Sequence, residues 1–228
     1  MKKNNLILTT VLMTLMILSS CGGSDAPNAN IKSVKSIADE VTIGKQVWMT
    51  KNLNVDKFRN GDPIPEAKTE GEWKAYNQAG EAAWCYYEND PKNGAKYGKL
   101  YNWYAVNDPR GLAPKGWHIP TDAEWTELTD YLGGVEKAGA KMKSKEGWIE
   151  NGNGTNSSGF NALPGGNRNV NESFFLIGSD GFWWSSSEFQ YGLCPELQPV
   201  LLCLSGNVSS YLNGKEEGFS VRCLRDSR

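Results

Sequence analysis

Every aromatic side chain of this 228-residue chain lies at or beyond Trp48, where nine Trp, nine Tyr and seven Phe begin. A loop-rich domain relies on large rings to bury enough surface, so this onset places the folded body at 39–228 and leaves 1–38 outside it. Most of the tryptophans are expected in the core. The formal charge of −2, with 22% charged residues and no Lys/Arg stripe, excludes nucleic acid as a partner. The single imidazole, His118, cannot supply a multi-His metal cage, and neither a metal nor a cofactor is expected.

The first 20 residues carry Lys2 and Lys3, then an apolar run from Leu6 to Leu18. As a helix that run spans about 20 Å, short of a hydrocarbon core of about 30 Å, so it reads as a signal segment. It ends Leu18-Ser19-Ser20-Cys21, which resembles the bacterial lipobox. The resemblance implies cleavage after Ser20 and lipidation of Cys21. Residues 21–38 are too poor in large apolar side chains to offset the ordering of their backbone, and read as a flexible tether. The expectation is an outer-membrane lipoprotein, periplasm-facing or at the cell surface, joined to the membrane by its lipid anchor.

Lipidation leaves Cys85, Cys194, Cys203 and Cys223, an even set that permits three pairings outside the cytoplasm. Cys194 with Cys203 and Cys85 with Cys223 is the favoured arrangement, and free buried thiols are the alternative.

Val41 to Met49 forms two β-prone arms around Gly44-Lys45, a hairpin signal. Glu72 to Ala79 suits a short helix. Thr121-Asp122-Ala123-Glu124 is a capping box that opens a helix to Leu132, with Trp125, Leu128 and Leu132 on one face and Gly133 as its stop. A second helix is expected over Val135 to Met142. Beyond Gly147 the chain alternates Gly/Asn/Ser loops with short apolar runs such as Phe174-Phe175-Leu176 and Phe182-Trp183-Trp184. Helices first and strands afterwards indicate an α+β domain with a largely antiparallel, loop-rich β region.

Six stretches carry a resemblance: Ile43 to Leu53, Tyr97 to Val106, Gly116 to Trp125, Gly159 to Gly166, Trp183 to Glu188 and Ser220 to Cys223. In this order, over about 41–226, they are similar to the Fibrobacter succinogenes major paralogous domain, abundant in lipoproteins of Bacteroidetes and Fibrobacteres. The resemblance implies a C-type-lectin-like fold, distantly related to formylglycine-generating enzymes. Where many members read Leu-Cys-Pro, this chain has Leu112-Ala113-Pro114, which frees Cys85 for Cys223.

Family likeness implies fold more firmly than activity. His118 reads as a core or hinge histidine bonded to backbone, Glu124 as the cap partner, and Glu127 as a carboxylate without a partner. No catalytic residue is assigned. The expected role is a non-catalytic binding or adhesion module for a glycan or an envelope protein. The alternatives are a formylglycine-generating-type enzyme and a scaffold subunit. Neighbouring strand residues face opposite ways, so on a one-sided sheet at least one of Trp183 and Trp184 is left free for a loop, a second layer or a ligand such as a sugar. Asn167, Arg168, Glu188 and Tyr191 complete the candidate surface.

Overall fold

The computed structural model describes residues 39–170, 173–187, 197–204 and 207–227. The hairpin forms as expected: β1 (Glu40–Ile43) and β2 (Gln46–Met49) pair antiparallel with Ile43 opposite Gln46, and Gly44 takes φ +63° in the turn. Helix α1 (Glu70–Ala79) starts two residues before the expected Glu72, because Thr69 and Glu72 build a capping box ahead of it. β3 (Trp84–Cys85) pairs with β4 (Leu100–Tyr101) around α2 (Pro91–Tyr97). α3 (Trp103–Val106), β5 (Trp117–His118), α4 (Asp122–Tyr131) and α5 (Val135–Met142) follow. The second half supplies β6 (Gly165–Arg168), β7 (Phe174–Ile177), β8 (Gly181–Trp184), β9 (Leu197–Leu204), β10 (Asn207–Gly214) and β11 (Leu224–Arg225).

The architecture is α+β. One sheet has the order β1-β2-β11-β5, a second β10-β9-β8-β6-β7, and β3-β4 stands as a short third; every pairing is antiparallel except β6 with β8. The segment from Gly218 to Leu224 sews them together. Gly218 bridges Arg168, Phe219 bridges Tyr101, Ser220 bridges Trp183, and Leu224 pairs with both Trp48 and His118. The two ends of the domain therefore lie side by side.

At β8 the second sheet is covered on both faces, so the one-sided premise does not hold there. Alternation along β8 holds, yet Trp183 enters the core with Trp48, Trp125 and Phe160, while Trp184 enters another with Trp103, Phe219 and Cys223. Both rings are fully buried and both indole N–H groups are satisfied, by Asn52 Oδ1 at 2.8 Å and the Tyr101 carbonyl at 2.7 Å. Neither is open to a sugar.

The expected Cys85–Cys223 bond is absent, and both are free buried thiols. They sit in separate cores, Cys85 with Trp73 and Leu100, Cys223 with Tyr101 and Trp184, so no bridge joins them. Cys194 lies outside the described residues, and with it the expected Cys194–Cys203 bond, as does the lipidation site Cys21.

Candidate functional site

Helix α4 has two faces, and the sequence sets both. Trp125 and Leu128 are buried, with Leu132 just beyond, while Ala123, Thr126, Glu127, Asp130 and Tyr131 recur at the spacing of a single stripe on the other side. That second stripe forms one wall of a groove of about 690 Å³, and Ile43, Gly44, Lys45 and Gln46 of the hairpin form the other.

Tyr131 is the most exposed large hydrophobic residue of the described chain, at 65%. Its ring lies against Gly44, where a Cβ would come within 3.0 to 3.3 Å of three ring atoms. The left-handed turn and the close approach both call for glycine. Lys45 on one wall faces Glu127 and Asp130 on the other, with no ion pair between them among the described residues. The groove thus offers an aromatic surface beside a hydroxyl, an ammonium and two carboxylates.

Its base is fixed through Glu124. The Glu124 Oε2 accepts from the Thr121 N–H at 2.8 Å and from the Thr121 hydroxyl at 2.9 Å, completing the expected capping box. Its carbonyl accepts from Gln46 Nε2 at 2.9 Å, tying the helix to the hairpin wall. Its Oε1 meets His118 Nε2 at 2.8 Å, and His118 Nδ1 meets Asp226 Oδ1 at 2.9 Å. His118 is therefore half-buried and held by two carboxylates, where the sequence suggested a core or hinge residue bonded to backbone. Partial burial works against its charge, but Asp226 and Glu124 outweigh that and hold its pKa above the ordinary value. For Glu124, burial opposes ionisation, and the Thr121 and His118 bonds bring its pKa below the usual carboxylate value.

Of the surface expected from the sequence, the described members Asn167, Arg168, Trp183 and Trp184 are all buried. Arg168 is fully buried, donating to the carbonyls of Ala67 and Thr69 at 3.3 and 3.1 Å and lying over the rings of Trp73 and Phe174. It anchors the entry to α1. Asn167 is 8% exposed and donates to Glu217 Oε2 at 3.3 Å, while its Oδ1 is buried without a partner. Glu188 and Tyr191 lie outside the described residues.

Lys45, Asp130 and Tyr131 were missed. The available signal was Tyr131, an aromatic ring set on the polar stripe of an amphipathic helix. Glu217 was also missed, and the pair Glu216-Glu217 after a turn offered no signal.

Fold and groove together define a mixed α+β domain with one helix and one hairpin turned toward a shared open site. The model of the Fibrobacter succinogenes major domain matches residues 41–225, and the chain belongs to that family. No curated protein and no solved structure matches the chain significantly.

Proposed function

We propose that this protein is an envelope lipoprotein, lipidated at Cys21 and tethered by residues 21–38, whose domain binds a saccharide without catalysis. We extend to it the C-type-lectin-like arrangement that the family resemblance implies. The observation that carries the reading is the open ring of Tyr131 in a groove lined by Thr126, Glu127, Asp130 and Lys45. An aromatic face suits the apolar face of a pyranose, and the flanking polar groups suit its hydroxyls.

A thiol-based enzyme draws no support from Cys85 and Cys223. Burial pushes their pKa values to about 11 and about 12, which keeps both protonated and poorly nucleophilic at neutral pH.

The test is a glycan array probed with the detergent-solubilised full chain and its Tyr131→Ala variant. Saccharide retention that disappears in the variant supports the reading; retention unaffected by the variant, or none at all, removes it. A protein partner is favoured by a different observation, the exposed Phe175 and Leu176 on β7, which is an edge strand of its sheet. Crosslinking from position 175 that captures one envelope protein would favour that second reading.

A further inference from the structure

We infer that His118 is a positioning residue of the groove, holding the first turn of α4 against the hairpin only while both of its ring nitrogens carry a proton. The consequence for ligand binding rests on the groove being the binding site, whereas the clasp itself can be tested without a ligand.

The geometry favours the doubly protonated ring. Each ring nitrogen faces a carboxylate oxygen at hydrogen-bond distance, and an ionised carboxylate only accepts. A neutral imidazole has one N–H, so it serves one of the two partners and sets a lone pair against the other. Only the imidazolium satisfies Glu124 and Asp226 together.

Glu124 transmits the state of the ring. One of its carboxylate oxygens serves His118, the other serves the Thr121 cap, and its carbonyl receives Gln46 from the opposite wall. Ala123 and Thr126, on either side of it along the same helix, line the groove. Releasing Oε1 frees the carboxylate to turn and loosens the cap that fixes this wall. On the other side of the ring, Asp226 follows β11, so the imidazolium also joins the C-terminal strand to α4.

The charged groups around the ring come from each packed element. Asp226 and Glu124 favour the proton. From β11, Arg225 lies over the Trp117 ring at 5.0 Å and pairs with Glu40 of β1. Arg59 donates to the Trp117 carbonyl at 3.0 Å. Neither guanidinium is hydrogen-bonded to the ring, and the two carboxylates in direct contact set the direction of its shift against partial burial.

The test is an NMR pH titration of the isotope-labelled full chain, in which the single histidine makes the ring signals unambiguous. Measured above about pH 5.5, the titration is separated from that of the ordinary carboxylates. The expected result is one common midpoint, above the usual imidazole value, for the His118 ring nitrogens, the Gln46 side-chain amide and the backbone amides of Ala123, Thr126 and Glu127. In His118→Gln that midpoint vanishes from the groove amides while the Leu128 amide keeps its folded shift. In His118→Lys, which retains a cation, the groove amides stay near their low-pH positions across the range. Groove amides that remain flat while the ring titrates, or that titrate unchanged in His118→Gln, overturn the inference. A negative glycan screen would leave these outcomes intact, so the two readings fail separately.

Discussion

Trp183 Nε1 donates to Asn52 Oδ1 at 2.8 Å, and the same oxygen accepts from Arg222 Nη2 at 2.7 Å and Nε at 3.1 Å. The Asn52 amide nitrogen turns the other way, donating to the Tyr97 carbonyl at 2.8 Å and to Ser220 Oγ at 3.2 Å. One amide after the N-terminal hairpin thus joins α2, β8 and the C-terminal seam. Asn52→Ala strands a buried indole N–H and loosens a buried guanidinium, and is expected to destabilise the domain by about 3–5 kcal/mol. Chemical denaturation against wild type measures it, and a loss under about 1 kcal/mol would mean that the seam has other ties of equal weight.

The tandem tryptophans give a second expectation. Both rings are fully buried in separate cores, so Trp183→Ala and Trp184→Ala should each remove about 3–5 kcal/mol. Equilibrium unfolding that finds one of them nearly neutral would contradict the two-sided packing of β8.

This pair also shows what the sequence could and could not convey. Alternation along Phe182-Trp183-Trp184 was legible, because it is a local property of an extended chain. Whether a second layer covers the other face depends on residues far away, here Phe160, in the core it shares with Trp48, for one ring and Trp103 and Phe219 for the other. The capping box at Thr121 was legible for the same local reason, and the bond from Glu124 to His118 spans only six residues. Its second half, from His118 to Asp226, spans 108 and follows from β11 pairing beside β5. Tyr131 was visible as a ring on a polar stripe, but the hairpin that completes the groove is brought to it only by the tertiary fold.

Groove and stability should separate at Tyr131. Its ring is mostly solvent-exposed, so Tyr131→Ala is expected to shift unfolding free energy by no more than about 0.5 kcal/mol, and on the proposed reading to weaken saccharide binding by about 1–3 kcal/mol. Gly44→Ala should behave differently. It strains a residue at positive φ and pushes on the ring, losing about 1 kcal/mol of stability together with binding. Paired thermal melts and binding isotherms distinguish the two; equal stability losses would show that Tyr131 acts as packing.

The cap gives an expectation that is read by stability. Thr121→Ala removes the hydroxyl that accepts from the Glu124 N–H at 3.3 Å, an expected loss of about 1 kcal/mol. Thr121→Ser should recover most of it, and thermal unfolding reads both. A serine variant no more stable than alanine would remove the cap assignment.

Glu217 sets the last expectation. Burial pushes its carboxyl to about 7, the neighbouring Glu216 adds repulsion, and the bonds from Asn167 and the Val170 N–H offset this only in part. A carboxyl raised in the folded state holds its proton where the unfolded chain has released it. Its contribution therefore makes stability fall as pH climbs from about 4.5 to about 7, and levels off above that window. The Asn167 Nδ2 bond to Glu217 Oε2 survives protonation, because a carboxyl oxygen accepts whether the acid is neutral or ionised. Glu217→Gln keeps the shape and removes the titration. Since the side chain keeps some solvent exposure, the variant should gain only about 1–2 kcal/mol over wild type at pH 8 and nothing at pH 4.5. Denaturation curves at matched pH values give this as a difference, in which the titration of His118 and the other groups cancels. A difference that stays constant with pH would show that the carboxyl titrates alike in the folded and the unfolded chain, and would remove the burial account of its shift.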